Sequence, residues 1–247
     1  MEEAITELVK GSVYIPISSL GKSITLQGDL TVPSKPIGII LFAHGSGSGR
    51  NSPRNKFVAE MLNRDGLATL LVDLLTPEEE ESDTIMEKQR DKISGFLLNK
   101  FNIRLLASRL VSITEWVTRN PNTRGLLLGY FGASTGTAAA LIATATSSVS
   151  DFVAVIVSRS GRPDLVQRND LNQVRIPTLF IVGSNDFSEV IDWNRNALRD
   201  IASEKKKMAI VANASHLFEE PGTLEEVAKL ASGWFRCFFQ IEDHKLS

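Results

Sequence analysis

Short, wholly apolar runs alternate with amphipathic stretches along most of this chain, and that alternation limits the folds open to it. The apolar runs are residues 37–43, 67–72, 125–131, 152–157, 178–182 and 208–211. Runs this uniform suit strands buried on both faces, as in a parallel sheet covered by helices. Residues 53–64, 103–118, 134–146, 190–203 and 223–239 read as the helices. In 103–118, for example, Leu106, Leu110, Ile113 and Val117 recur at helical spacing. Thr223, with Glu226 three residues on, is the expected N-cap of the last helix. Upstream, Val13–Ile17 and Ile24–Val32 read as strands that turn across Gly21-Lys22. The expected class is α/β: a mostly parallel central sheet of about seven or eight strands with helices on both faces. The length, 247 residues, fits a single domain spanning 1–247. The charged, irregular segment 76–102 is the candidate for a short lid or cap.

Composition narrows the function classes. The formal net charge is −2, so no basic field exists to attract nucleic acid. The acidic run Glu78–Glu81 and the basic run Lys205–Lys207 read as solvated surface. The one cysteine, Cys237, allows neither an internal disulfide nor a cysteine metal site. It sits in the apolar run 234–239, where a small hydrophobe is expected on a packing face. No run reaches the roughly 18 apolar residues of a membrane span. Residues 1–10 are polar and acidic, unlike a signal peptide. The expectation is a cytoplasmic monomer or homodimer with a small-molecule substrate. No nucleic acid, membrane, metal or organic cofactor is implied.

Chemistry concentrates at Gly132-Ala133-Ser134-Thr135-Gly136. A predicted strand precedes this G-x-S-x-G and a predicted helix follows. A serine on such a turn is strained, and its hydroxyl is presented at a helix N-terminus that favours developing negative charge. Serine needs a base. Of three histidines, His244 lies in the polar tail, His44 precedes a glycine-rich loop, and His216 follows the strand 208–211 by a short loop. His216 is therefore placed at a strand's carboxyl end, where open α/β sheets bind ligands. Asp186 falls just past the strand 178–182 and is the acid expected to orient the base. Glu189 and Asp192 are the alternatives, although the following helix should carry them away. Asp73 also follows a strand, and no catalytic role is assigned to it.

A tetrahedral oxyanion needs preorganised donors. The N–H of Thr135, next to the nucleophile, is one. The second is expected from Ser46, or from Gly45, in the loop His44-Gly45-Ser46-Gly47. This loop lacks both the Lys-Ser/Thr ending of a P-loop and the full G-x-G-x-x-G spacing, so nucleotide binding is not expected.

The order Ser134, Asp186, His216, in these contexts, resembles the α/β-hydrolase superfamily. Within it the chain is similar to the dienelactone-hydrolase-like group. The closer resemblance rests on HGSGSGRNSPRN (44–55), LLVDLLTPEEE (70–80), GYFGASTGTAAAL (129–141), SRSGRPDL (158–165), IVGSNDF (181–187) and SHLFEEPG (215–222). The resemblance implies hydrolysis of esters or lactones. It departs at one point: authentic dienelactone hydrolases use a cysteine nucleophile, and position 134 is serine.

Arg50, Arg54, Arg159 and Arg162 fall in loops placed near the strands' carboxyl ends. They are candidates to grip an anionic substrate. The competing reading pairs Arg159 and Arg162 with Asp164 or with Glu78–Glu81, fixing the lid. Phe187, Leu217 and Phe218 flank the expected site and are candidates for an acyl pocket. The function read from the sequence is a serine hydrolase that cleaves carboxylic esters or lactones through an acyl-enzyme on Ser134. A small-molecule receptor on the same scaffold and an acyltransferase are the other readings.

Overall fold

The computed structural model describes residues 7–19, 21–88, 97–145 and 149–246. The chain order is β1 (Glu7–Ser19), β2 (Lys22–Pro33), β3 (Ile39–Ala43), α1 (Pro53–Arg64), β4 (Ala68–Val72), α2 (Pro77–Lys88), α3 (Ile103–Arg119), β5 (Leu128–Ala133) and α4 (Thr135–Thr144). It continues with β6 (Val153–Arg159), α5 (Arg168–Leu171), β7 (Thr178–Gly183), α6 (Ser188–Asp200), β8 (Lys206–Val211) and α7 (Thr223–Leu246). The eight strands form one sheet in the order β1-β2-β4-β3-β5-β6-β7-β8. The β1–β2 and β2–β4 pairings are antiparallel and all the others are parallel.

The uniform apolar runs are explained by burial on both faces. Every residue of β3, β4, β5 and β7 is buried. One face packs apolar residues of α3, α4 and α6, including Leu110, Ala139 and Ala197. The other packs α1 and α7 through Val58, Leu62, Val227 and Phe235. All of α4 is buried, which its run of alanines permits by letting the helix lie close to the strands. β8 is an edge strand, and its opening Lys206-Lys207 discourages pairing with another chain.

Local signals set the element ends. Ser52 caps α1 by accepting the Asn55 N–H at 3.4 Å, with Pro53 at the first helical position. Asn102 caps α3 through the Leu105 N–H at 3.1 Å. Ser19 pairs with Lys22, and Gly21 takes φ 74°, a value suited to a tight hairpin.

Four expectations are corrected. The segment 76–102, expected to be irregular, is helical over Pro77–Lys88, in α2; its residues 89–96 lie outside the described residues. Thr76 and Glu79 form a reciprocal cap at its start: Thr76 N–H to Glu79 Oε2 is 2.9 Å and Glu79 N–H to Thr76 Oγ1 is 3.4 Å. Thr223 is the first residue of α7, and its hydroxyl donates to the Glu220 carbonyl at 2.7 Å instead of capping. Cys237 is exposed, because Phe235, Phe238 and Phe239 take the packing face. α7 runs on past Phe239; the His244 side chain, expected to be solvated, lies outside the described residues, as does Thr146.

Candidate active site

Parallel pairing brings the loops after β3, β5, β6, β7 and β8 to one edge of the sheet. Ala43 pairs with Gly132, Ala133 with Arg159, Arg159 with Ile181, and Gly183 with Val211. Ser134 stands at the turn from β5 into α4 with φ 50° and ψ −121°. A non-glycine residue there stores on the order of 1–3 kcal/mol of strain. The flanking glycines are sterically required. A Cβ on Gly136 would lie 2.0 Å from the Ala43 carbonyl oxygen, and one on Gly132 would lie 2.6 Å from Thr137 Cα. The Ser134 hydroxyl has no hydrogen-bond partner among the described residues.

Asp186, in the loop after β7, accepts His216 Nδ1–H at 2.9 Å on Oδ1. The Phe187 N–H shares Oδ1 at 2.8 Å, and Ser160 Oγ donates to Oδ2 at 2.6 Å. Burial of Asp186 opposes ionisation, but the bonds from His216 and Ser160, the His216 charge and the Phe187 amide outweigh it. They hold the carboxyl below its ordinary range. With Nδ1 donating to the carboxylate, His216 Nε2 is the nitrogen left to accept a proton. The alternative acids are carried off on α6. Asp192 pairs with Arg195 at 3.1 Å, and Glu189 accepts Ser188 Oγ at 3.1 Å. Phe187 and Leu217 are exposed beside this pair, with the Phe187 ring 6.2 Å from that of His216. Phe218 is buried in the core behind it.

On the opposite side of Ser134, Gly45 comes close enough that an added Cβ would sit 3.1 Å from Ser134 Cβ. The Ser46 N–H, expected to serve an oxyanion, donates to Thr135 Oγ1 at 2.8 Å. His44, which opens the loop expected to supply an oxyanion donor, is held by its own hydrogen bonds. Its ring is buried, Nε2 accepts the Leu74 N–H at 3.0 Å, and Nδ1 donates to the Gly45 carbonyl at 3.0 Å. Burial keeps the ring below its ordinary range despite that carbonyl and the nearby Asp73. His44 therefore ties the β3 loop to the β4 loop, with both nitrogens spent.

The four arginines separate into different environments. Arg50 is neutralised by Asp73, with Asp29 at 3.6 Å from its Nε. Arg162 is bidentate to Asp164, both contacts at 2.8 Å, and stacks on Trp193. Both thus have carboxylate partners, and Glu79 of the acidic run pairs with Arg109 instead. Arg54 reaches the exposed Glu219 at 3.5 Å, and its Nε is buried without a partner. Arg159 is buried, bonds Asn55 Oδ1 at 3.2 Å, and leaves Nη1 without a partner. Burial, together with the Arg54 charge, pulls its guanidinium down to about 10. A cavity of about 590 Å³ adjoins the loop 44–54 and reaches Asp73, Glu80 and Lys100. Its walls mix polar and apolar surface in nearly equal parts.

A crystal structure of a dienelactone hydrolase from Anabaena variabilis is 49% identical to this chain, covers 93% of it and 98% of its own length, and superposes with a TM-score of 0.80. The chain belongs to the dienelactone-hydrolase-like group of the α/β-hydrolases. Est1E from Butyrivibrio proteoclasticus shares the fold at 14% identity, with a TM-score of 0.70 over 91% of the chain and 97% of its own. Two Mycobacterium tuberculosis sequences are 50% identical over 212 residues, 86% of this chain, and carry the provisional name phosphoribosyl transferase. This chain spans only 44% of their length. No family model matches. In this dienelactone-hydrolase-like chain the elbow residue is serine and the lone cysteine is on α7, remote from it in sequence. No helix among the described residues is long and apolar enough to cross a membrane.

Reading the sequence missed Ser160, which holds the second oxygen of Asp186, and the side chain of Thr135. Ser160 carried a usable signal: it is the first residue past the strand end at Arg159, on the edge where the other loops converge.

Proposed function

We propose that the protein is a serine hydrolase that cleaves carboxylic esters or lactones of small molecules through an acyl-enzyme on Ser134. The observation that carries this reading is the 2.9 Å bond from His216 Nδ1 to Asp186, made on the same sheet edge as the strained Ser134. His216 Nε2 takes the Ser134 proton as Oγ attacks the carbonyl, and returns it to the leaving oxygen. Water, activated by the same nitrogen, then releases the acid. The Thr135 N–H and the Ser46 N–H hold the oxyanion, with Thr135 Oγ1 yielding its present bond when substrate enters. No metal or organic cofactor takes part in this scheme.

Arg54 and Arg159 favour an anionic substrate. Arg54 meets only the exposed Glu219, and the neighbouring Arg159 has no acidic partner among the described residues. We assign the transferase name of the mycobacterial relatives to the part of those proteins outside the match, since the matched part has a hydrolase fold.

The test is mass-spectrometric mapping of a fluorophosphonate probe on the intact protein and on Ser134→Ala and His216→Ala. Stoichiometric labelling at Ser134, absent in the first variant and slowed at least about 100-fold in the second, is expected. A folded protein that takes no label overturns the reading and leaves the non-catalytic receptor.

A further inference from the structure

The segment Ser158-Arg159-Ser160-Gly161-Arg162 runs between the nucleophile and the acid and bonds to both. The Ser134 N–H donates to the Arg159 carbonyl and the Arg162 N–H donates to the Ser134 carbonyl, each at 3.1 Å. Between those two bonds, the Ser160 N–H donates to the Ile181 carbonyl at 2.8 Å and Ser160 Oγ donates to Asp186 Oδ2 at 2.6 Å. The segment is itself fixed. Ser158 Oγ meets Thr137 Oγ1 at 3.1 Å, Asn194 Nδ2 holds the Gly161 carbonyl at 2.9 Å, and a Cβ on Gly161 would fall 2.3 Å from Ser158 Oγ.

Ser160 is the unexpected residue in this segment. It is buried to 1% exposure and takes φ 41°, a backbone state that glycine adopts freely and serine does not. Glycine would relieve the strain but would lack the hydroxyl. Backbone strain persists where the surroundings over-determine it, and the structure offers one return for it here: the bond to Asp186. His216 Nδ1 lies 2.9 Å from Oδ1 and 3.1 Å from Oδ2, so the Ser160 bond on Oδ2 and the Phe187 amide on Oδ1 together set the carboxylate plane that faces it. Without the hydroxyl, the Phe187 N–H and His216 itself are left to hold the carboxylate.

We propose that Ser160 is a positioning residue that locks the Asp186 carboxylate for His216, making the acid–base relay a chain of four side chains: Ser134, His216, Asp186 and Ser160. The inference rests on the hydrolase reading above. No proton leaves Ser160; its hydroxyl stays a donor throughout, and its effect reaches the reaction only through Asp186 and His216.

The test exploits the backbone. Ser160→Gly removes the hydroxyl while relieving the positive φ, so the variant should fold at least as well as the wild type. Ser160→Ala removes the same hydroxyl and keeps the strain. The rate of fluorophosphonate labelling at Ser134 is followed against pH for all three proteins, with thermal melting as the control for folding. Both variants are expected to label about 10- to 100-fold more slowly, the range for losing a hydrogen bond to a charged group. Their pH–rate profile should move, because the hydroxyl sets both the charge and the aim of the carboxylate that faces the imidazole. Ser160→Gly should melt above Ser160→Ala. A folded Ser160→Gly that labels within threefold of wild type overturns the proposal. So does a rate loss with the pH–rate profile unmoved, which a slackened loop alone would give. Absence of labelling in the wild type is a different outcome and refutes the hydrolase reading itself.

Discussion

Arg109 fastens α2 to the body of the protein, and cutting that tie tests how one wall of the cavity beside the loop 44–54 is held. The guanidinium is 1% exposed and bidentate to Glu79, at 2.5 Å to Oε1 and 2.6 Å to Oε2; it also donates to the Leu74 carbonyl at 2.6 Å. Removing one partner of a buried pair costs about 3–5 kcal/mol, because the other charge is left uncompensated. The size therefore depends on which charge is stranded. Arg109→Met strands Glu79, whose side chain keeps 27% of its exposure, so water replaces part of the loss. We expect the low end, about 2–3 kcal/mol. Glu79→Leu strands Arg109, which water cannot reach, and also removes the cap on α2. We expect about 4 kcal/mol or more. The double variant leaves no buried charge and should cost at least about 1 kcal/mol less than the sum of the singles. Urea unfolding of the four proteins, read by circular dichroism, measures all three differences. Arg109→Met costing more than Glu79→Leu, or strictly additive losses, would refute the argument from stranded charge.

Two further outcomes follow from the same geometry. Gly136→Ala forces a Cβ to 2.0 Å from the Ala43 carbonyl and 2.6 Å from that of His44, backbone atoms that have little room to yield. It should cost at least about 3 kcal/mol by chemical unfolding, whereas Gly233→Ala, in open space on α7, should stabilise by up to about 1 kcal/mol. The second concerns pH. Because the folded Asp186 carboxyl is held below its ordinary value of 3.8, its ionised form contributes stability that is fully present above that value and is lost as pH falls through the folded value. The stability gap between wild type and Asp186→Asn should thus be widest near neutral pH and close in acid; a gap that is constant in urea titrations down to about pH 3 contradicts this.

Sequence pattern alone determined the sheet, because its signals are local. A strand buried on both faces must be mainly apolar, and β3, β4, β5 and β7 are, with the buried Thr69 and Thr178 hydroxyls hydrogen-bonded. Gly132 and Gly136 mark a close backbone approach that few other residues allow, so the elbow at Ser134 was also legible. α2 was legible too, through Thr76, Pro77 and Glu79 at its start, but the run of glutamates obscured the cap signal. Which partner each polar group chooses was decided only by the tertiary structure. Four arginines that look equivalent along the chain meet different surroundings: carboxylates neutralise Arg50 and Arg162, while Arg159 is buried with an asparagine. The Ser46 amide is taken by a hydroxyl 89 positions away, and Ser160 is drawn to Asp186 from the neighbouring strand. Hydrogen-bond partners and burial are set by distances between segments remote in the chain, and no local pattern encodes those distances.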